Sequence, residues 1–103
     1  MSGIERDYGY EYETVAASQT AQVLGNTGAA GDYLHRLIIT VNTAATSAVG
    51  LTDGSLSPIL LVPNIIGAGV GVYSIEINAA SISGAWKVTT GAGVTVMAVG
   101  QFS

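Results

Sequence analysis

The sequence predicts an all-β protein: a single-domain β-sandwich or jelly roll of seven to eight short antiparallel strands, with an extended N-terminal arm. Val, Ile and Thr dominate the chain and favour pleated strands. Short apolar runs alternate with Gly, Asn and Ser clusters at a spacing of about ten residues, as in sandwiches and jelly rolls. The charges are concentrated at the N-terminus. We therefore divide the chain into an arm, residues 1–13, and a body, residues 14–103, and 103 residues suffice for one domain.

The arm carries five of the ten charged residues and three tyrosines at every second position. In an extended strand the rings point to one side and the carboxylates to the other. Tyrosine is enriched at protein interfaces because it combines a large contact area with a polar tip. We expect the arm to lie on a neighbouring subunit or a larger assembly, with the carboxylates solvated or facing cations of the partner; the alternative is a disordered acidic tail. The predicted interface residues are Tyr8, Tyr10, Tyr12, Glu11 and Glu13.

The first half of the body predicts strands at residues 12–15, 21–24 and 33–41, with a turn-rich loop at residues 26–32 before the third. Uniform alternation divides the third strand into two faces. One face carries Tyr33, His35, Leu37, Ile39 and Val41, and the other carries Leu34, Arg36, Ile38 and Thr40. Both faces are largely apolar, which indicates a central strand or a strand with one face against a partner.

The second half predicts strands at residues 48–52, 59–62, 72–78, 85–90 and 94–102. Asp53-Gly54 is a hairpin signal between the first two, and the turn at residues 89–94 predicts a second hairpin that joins the last two. In the last pair, alternation places one set of side chains inward: Trp86, Val88, Val94, Val96, Ala98, Gly100 and Phe102. Lys87, Thr89, Thr95, Met97, Val99 and Gln101 lie on the other faces, although Met97, like Trp86 and Phe102, is expected to be a core residue.

The charge content excludes several classes of partner. Only 10% of residues are charged, against about 25% in ordinary soluble domains, so we expect a homo-oligomer packed against further protein. Three scattered cations do not form a site for nucleic acid or an anionic membrane. The apolar region 59–77 is interrupted by Pro63 and Asn64 and is too short to span a bilayer. The N-terminus lacks the features of a secretory signal, so synthesis in the cytoplasm without signal-directed export is expected.

The sequence gives no catalytic, cofactor or metal motif. Cysteine is absent and His35 is the only histidine, and no Gly-x-Ser-x-Gly turn accompanies it, so His35 is expected to be a core or interface residue. The run Gly67-Ala68-Gly69-Val70-Gly71 lacks the third glycine of a dinucleotide loop. The arm carboxylates lack the spacing of a calcium loop. We therefore expect no enzyme activity, no cofactor and no metal.

Two stretches resemble a known group of proteins. They are ASQTAQVLG at 17–25, continuing through GAAGDYL at 28–34, and SGAWKVTTG at 83–91. Together they resemble small structural proteins of tailed bacteriophages and prophages over residues 15–103. The resemblance implies a virion protein on a β-sandwich or jelly roll. It implies most closely a capsid decoration (cement) protein that sits on the capsid surface as a dimer or trimer and clamps adjacent major capsid subunits.

Two other functions are kept open. One is a tail, neck or fibre component, with or without a carbohydrate-binding tip, which an exposed aromatic cleft with a polar floor would favour. The other is a small enzyme or ligand-binding module, which a pocket around His35 with a carboxylate in reach would favour. The arm has no counterpart in the resemblance, and its role rests on its own chemistry.

Overall fold

The computed structural model describes residues 10–43, 49–61 and 70–103, and within these ranges the protein is all-β without a helix. Eight strands are present: β1 Glu11–Val15, β2 Gln22–Val23, β3 Tyr33–Val41, β4 Val49–Asp53, β5 Ile59–Leu61, β6 Gly71–Ala80, β7 Trp86–Thr89 and β8 Val94–Gln101. Every predicted strand has an observed counterpart within two residues at each end. Tyr8, Ala48, Val62 and Gly67 to Gly69 lie outside the described residues.

The strands form two four-stranded antiparallel sheets. Sheet I has the order β1-β8-β3-β6, and sheet II has the order β2-β7-β4-β5. Four pairings are nested within one another along the chain: β1 with β8, β2 with β7, β3 with β6, and β4 with β5. The chain is thus folded back on itself about the β4–β5 turn. The pairings of β3 with β8 and of β4 with β7 complete the two sheets.

One hydrophobic core contains residues from both sheets. Alternation supplies it: β8 buries every second residue from Val94 to Gly100, and β7 buries Trp86 and Val88. Sheet I contributes Val15, Leu34, Leu37, Ile39, Val41, Val94, Val96 and Ala98, and sheet II contributes Val49, Leu51, Trp86 and Val88. Phe102 packs against this core. The inward faces predicted for the last two strands are therefore confirmed.

The Asp53-Gly54 turn joins β4 to β5 as predicted, and the two strands pair from Val49 with Leu61 to Leu51 with Ile59. Gly54 adopts a φ of 58°, which a residue without Cβ reaches at no steric cost. Asp53 has a second role, because its carboxylate accepts hydrogen bonds from the backbone N–H groups of Ile82 and Ser83. The β4–β5 turn is thereby held against the connection from β6 to β7.

The predicted hairpin between the last two strands is wrong. β7 lies in sheet II and β8 in sheet I, so residues 90–93 cross between the sheets. Thr90 holds the chain at this crossing, because it is buried and hydrogen-bonded to the loop after β1. Its hydroxyl donates to the carbonyl of Ala16 at 2.6 Å and its N–H donates to the carbonyl of Gln19 at 2.9 Å. These contacts hold residues 90–93 at the edge of the core, between the two sheets. A hairpin turn within one sheet would lie elsewhere.

The uniform alternation predicted for β3 is also wrong. A register shift between Leu34 and Arg36 leaves His35 as an extra residue opposite β8. Leu34, before the bulge in sequence, is buried in the core, and so are Leu37, Ile39 and Val41 after it. A β-bulge reverses the faces of all residues beyond it. His35 is consequently excluded from the core, so the core alternative of the prediction is wrong and the interface alternative stays a prediction.

Gly100 allows the bulge to form. It pairs with Leu34 across β3 and β8, and a Cβ placed on it would collide with the carbonyl oxygen of Tyr33. Gly50, also buried and within a strand, has only an ordinary van der Waals contact in the same position, with Thr89 Cβ at 3.5 Å. A side-chain methyl group therefore fits at Gly50 but not at Gly100.

We expect Gly100→Ala to lower the free energy of unfolding by about 2–3 kcal/mol, because backbone atoms must move to admit the methyl group. Gly50→Ala is the matched control and is expected to change it by less than about 1 kcal/mol, since the methyl group fits and alanine restricts the unfolded chain. Urea unfolding followed by tryptophan fluorescence measures both. Equal losses in the two variants would contradict the role assigned to Gly100.

The buried carboxylate of Asp32 binds the end of the chain to the loop before β3. It accepts hydrogen bonds from the N–H of Ser103 at 3.0 Å, from the hydroxyl of Ser103 at 2.7 Å and from the N–H of Ala29 at 3.1 Å. The backbone carbonyl of Asp32 accepts a hydrogen bond from the indole N–H of Trp86 at 2.9 Å. One residue thus connects sheet I, sheet II and residue 103.

Replacement of Asp32 by Ala is expected to lower the free energy of unfolding by about 3 kcal/mol, because three part-buried hydrogen bonds lose their charged acceptor. Glu76→Gln is the control, because its exposed ion pair is expected to contribute less than about 1 kcal/mol. Thermal unfolding followed by circular dichroism compares the two variants. A loss at Asp32 no larger than the loss at Glu76 would show that Asp32 does not hold the fold together.

Candidate interaction surface

The side of sheet I that faces away from the core is a continuous surface formed by all four strands. The pairing register defines it, because directly paired residues share a face. We call it the outer face. It comprises Tyr12, Thr14, Thr95, Met97, Val99, Arg36, Ile38, Thr40, Val72, Ser74 and Glu76.

The centre of the outer face is apolar and its charges are balanced. One row across the sheet runs Tyr12, Val99, Arg36 and Glu76. The guanidinium of Arg36 lies 3.0 Å from the carboxylate of Glu76, so the two charges at the β6 side of this row neutralise each other. The next row runs Thr14, Met97, Ile38 and Ser74. Met97, expected in the core, therefore lies on the outer face.

An aromatic group that sequence reasoning missed adjoins the outer face beside Gln101. The ring of Tyr10 stacks on His35, with centroids 4.6 Å apart, and also contacts Tyr33 at 5.9 Å. Asn78 Oδ1 accepts hydrogen bonds from His35 Nδ1 at 2.8 Å and from the Tyr33 hydroxyl at 3.2 Å. The bulge brings these residues together, and no spacing in the sequence indicates it.

The predicted interface residues divide into two sets. Tyr8 lies outside the described residues. Tyr10 and Tyr12 are 49% and 62% exposed, and their shared side is the side predicted by alternation. Tyr10 is held by His35 and Tyr33 of its own chain. Residues 11–13 belong to β1 and pair with β8, so this part of the predicted arm is a strand of the body.

Glu11 and Glu13 bind groups of their own chain, contrary to the prediction that they are solvated or face a partner's cations. Glu11 Oε2 accepts a hydrogen bond from the N–H of Phe102 at 2.6 Å. Glu13 accepts one from the N–H of Gly25 at 2.6 Å and another from the Gln22 side chain at 3.2 Å. Both carboxylates thus bind donors of their own chain on the side of β1 opposite the tyrosines.

All five carboxylates in the described ranges have structural partners. Four accept backbone N–H groups, and the fifth, Glu76, pairs with Arg36. Within those ranges no three His, Cys, Asp or Glu side chains are grouped as a metal ion would require. His35 has an amide partner in Asn78. His35 and the five described carboxylates thus each have a partner within their own chain.

A second apolar area lies on the two turns that Asp53 joins. Leu56 follows the β4–β5 turn and is 52% exposed, and Ile82 lies between β6 and β7 and is 82% exposed. Their neighbours Ser55 and Ser83 approach with hydroxyl oxygens 3.3 Å apart. Ile59 at the start of β5 is also exposed. We call Leu56, Ile59 and Ile82 the turn patch.

Comparison of the chain with protein families, with curated proteins and with solved structures gives no match. No helix within the described ranges has both the length and the apolar character needed to cross a membrane.

The new role of Glu13 predicts a local effect. In Glu13→Ala, the backbone N–H of Gly25 loses its acceptor, so its amide hydrogen should exchange at least about tenfold faster while the amides in the centre of β3 keep their protection. Hydrogen exchange measured by NMR tests this. Glu76→Gln serves as the control and should leave Gly25 unchanged. Unaltered exchange at Gly25 in the Glu13 variant would contradict the contact.

Proposed function

We propose that this chain is a bacteriophage virion structural protein, and specifically a capsid decoration protein that stabilises the head by clamping adjacent major capsid subunits. The observation that carries the proposal is a combination of two features. One sheet face carries exposed tyrosines, and the described carboxylates bind backbone N–H groups or Arg36 of their own chain. Such a body presents surface suited to packing rather than groups suited to chemistry. We place it on the capsid surface, with itself and the major capsid protein as partners, and with no enzyme activity.

The proposed fold of this virion protein is a jelly roll, a β-sandwich of two four-stranded sheets. A jelly roll has eight strands in two Greek keys and occurs in viral capsid domains. The nested pairing of β1 with β8, β2 with β7, β3 with β6 and β4 with β5 supports this assignment. So does the separation of these pairs into two sheets that share one core.

The distribution of exposed apolar side chains supports contact with further protein. Seven large hydrophobic residues of the described ranges are exposed: Tyr10, Tyr12, Leu56, Ile59, Val70, Val72 and Ile82. Those at the outer face and those of the turn patch belong to different parts of the body. A clamp needs two contact areas, because one subunit must touch more than one neighbour.

The clamping mechanism is physical. Each contact of a small subunit contributes a modest free energy, but a second contact made by the same oligomer occurs at high effective concentration. Many copies on one shell together oppose expansion and loss of subunits. Tyrosine side chains suit this role because they bury a large area with few rotatable bonds.

We expect the protein to bind shells of the phage or prophage that encodes it and to raise their thermal stability. Leu56→Ser with Ile82→Ser should weaken binding at least about tenfold, because two apolar anchors are lost. Ser57→Ala on the same turn connection is the control. Co-sedimentation with shells and thermal release of DNA measure the effect, and failure of the wild-type chain to bind any shell would overturn the proposal.

A deletion that tests the role of the arm in shell binding must end before β1. Removal of residues 2–13 deletes three of the five residues of β1 and thus disturbs sheet I itself. Removal of residues 2–9 leaves β1 intact, so a loss of shell binding in that variant reports on the arm. The same co-sedimentation assay compares it with the full chain.

A tail or fibre component that binds carbohydrate is the second candidate. The aromatic group of Tyr10, Tyr33 and His35 with the amide of Asn78 favours it, because aromatic faces and amides are the groups that sugar sites use. Binding of a host surface glycan that Tyr10→Ser abolishes, together with absence of shell binding, would select this function over the first.

A further inference from the structure

We infer that the outer face of sheet I is a self-complementary interface on which a second copy of this chain packs. The two-fold axis lies in the plane of the interface and runs perpendicular to the strands. The inference deepens the proposed function, since it assigns the surface that makes the oligomer. It can be measured on the purified protein without a shell, so its failure is distinguishable from failure of the capsid role.

The charge distribution of the chain favours a second copy as the occupant of the outer face. The whole chain carries a net charge of −4, so two copies repel at most of their surfaces. The outer face is different, because Arg36 and Glu76 neutralise each other there and Glu11 and Glu13 lie on the opposite side of β1. A copy of the same chain can approach this face without burying an unpaired charge.

The outer face is large enough for a specific dimer interface. Four strands at a spacing of about 4.8 Å and of roughly eight residues at about 3.3 Å each give a face of roughly 500 Å². Two copies then bury roughly 1,000 Å² in total, which reaches the lower limit for a specific protein interface. The face is also firmly held, because β8 and β3 are central strands of the sheet.

The shape of the outer face selects the direction of the two-fold axis. At one end of the face Tyr10 and Tyr12 project from β1, and at the other end the central strands carry the small side chains of Thr40 and Thr95. A two-fold axis across the strands places the tyrosine end of each copy over the threonine end of the other. It also places Glu76 opposite Val72 of the second copy rather than opposite the second Glu76, so like charges do not meet.

Met97 lies near the axis in this arrangement, in the row of Thr14 and Ile38. Its side chain and that of the second copy therefore approach each other. A charge introduced there is doubled in the dimer, which makes Met97 the most sensitive position for a test.

The test uses sedimentation equilibrium of the wild-type chain and of Met97→Glu and Met97→Lys. The wild type is expected to be a dimer at micromolar concentration, and each variant alone is expected to dissociate at least about a hundredfold more readily. An equimolar mixture of the two variants should restore the dimer, because opposite charges then meet at the axis. Ile82→Glu, on the turn patch, is the control and should remain dimeric.

The rescue keeps the test decisive if a variant is destabilised, since a folding defect is not repaired by mixing. Circular dichroism melts of each variant accompany the measurement. A monomeric or trimeric wild type would overturn the inference. So would a dimer that persists in both Met97 variants, because a different surface would then form it. Shell binding by a monomeric variant would leave the proposed function intact while the dimer is lost.

Discussion

The pairing of the first strand with the last is the constraint on which the rest of the structure depends. With β1 beside β8, the chain must return along its own path, and the pairs β2–β7, β3–β6 and β4–β5 follow within it. Two carboxylates secure this closure by binding residues 102 and 103. Glu11 accepts the N–H of Phe102, and Asp32 accepts the N–H of Ser103. The contacts are long-range, so they form only when the whole chain is in place.

These contacts show where the few described carboxylates are used. Asp32, Asp53, Glu11 and Glu13 each accept backbone N–H groups from a segment distant in sequence. A charged acceptor satisfies buried or half-buried amides more strongly than a neutral one. The described carboxylates are thus concentrated where loops and chain ends need anchoring. The outer face of sheet I is left with one internal ion pair and an apolar centre.

The β3 bulge connects the fold to the candidate surface. Without it, uniform alternation would place His35 inward with Leu37 and would turn Leu34 outward. With it, His35 lies outside, where Tyr10 stacks on the ring and Asn78 binds Nδ1. Asn78 itself adopts a φ of 51°, at the point where the β3–β6 register shifts. Gly100 admits this local distortion because a side chain there would meet the carbonyl of Tyr33.

The sequence by itself determined the all-β class, the position of each strand and the inward residues of β7 and β8, because alternation and turn residues are local signals. It also placed Tyr10 and Tyr12 on one side of an extended segment. The tertiary structure decided that Glu11 and Glu13 bind their own chain, that residues 90–93 cross between sheets, and that His35 is outside the core. Those outcomes depend on hydrogen bonds between residues about 10 to 90 positions apart, and on a single extra residue in β3, which no local pattern records.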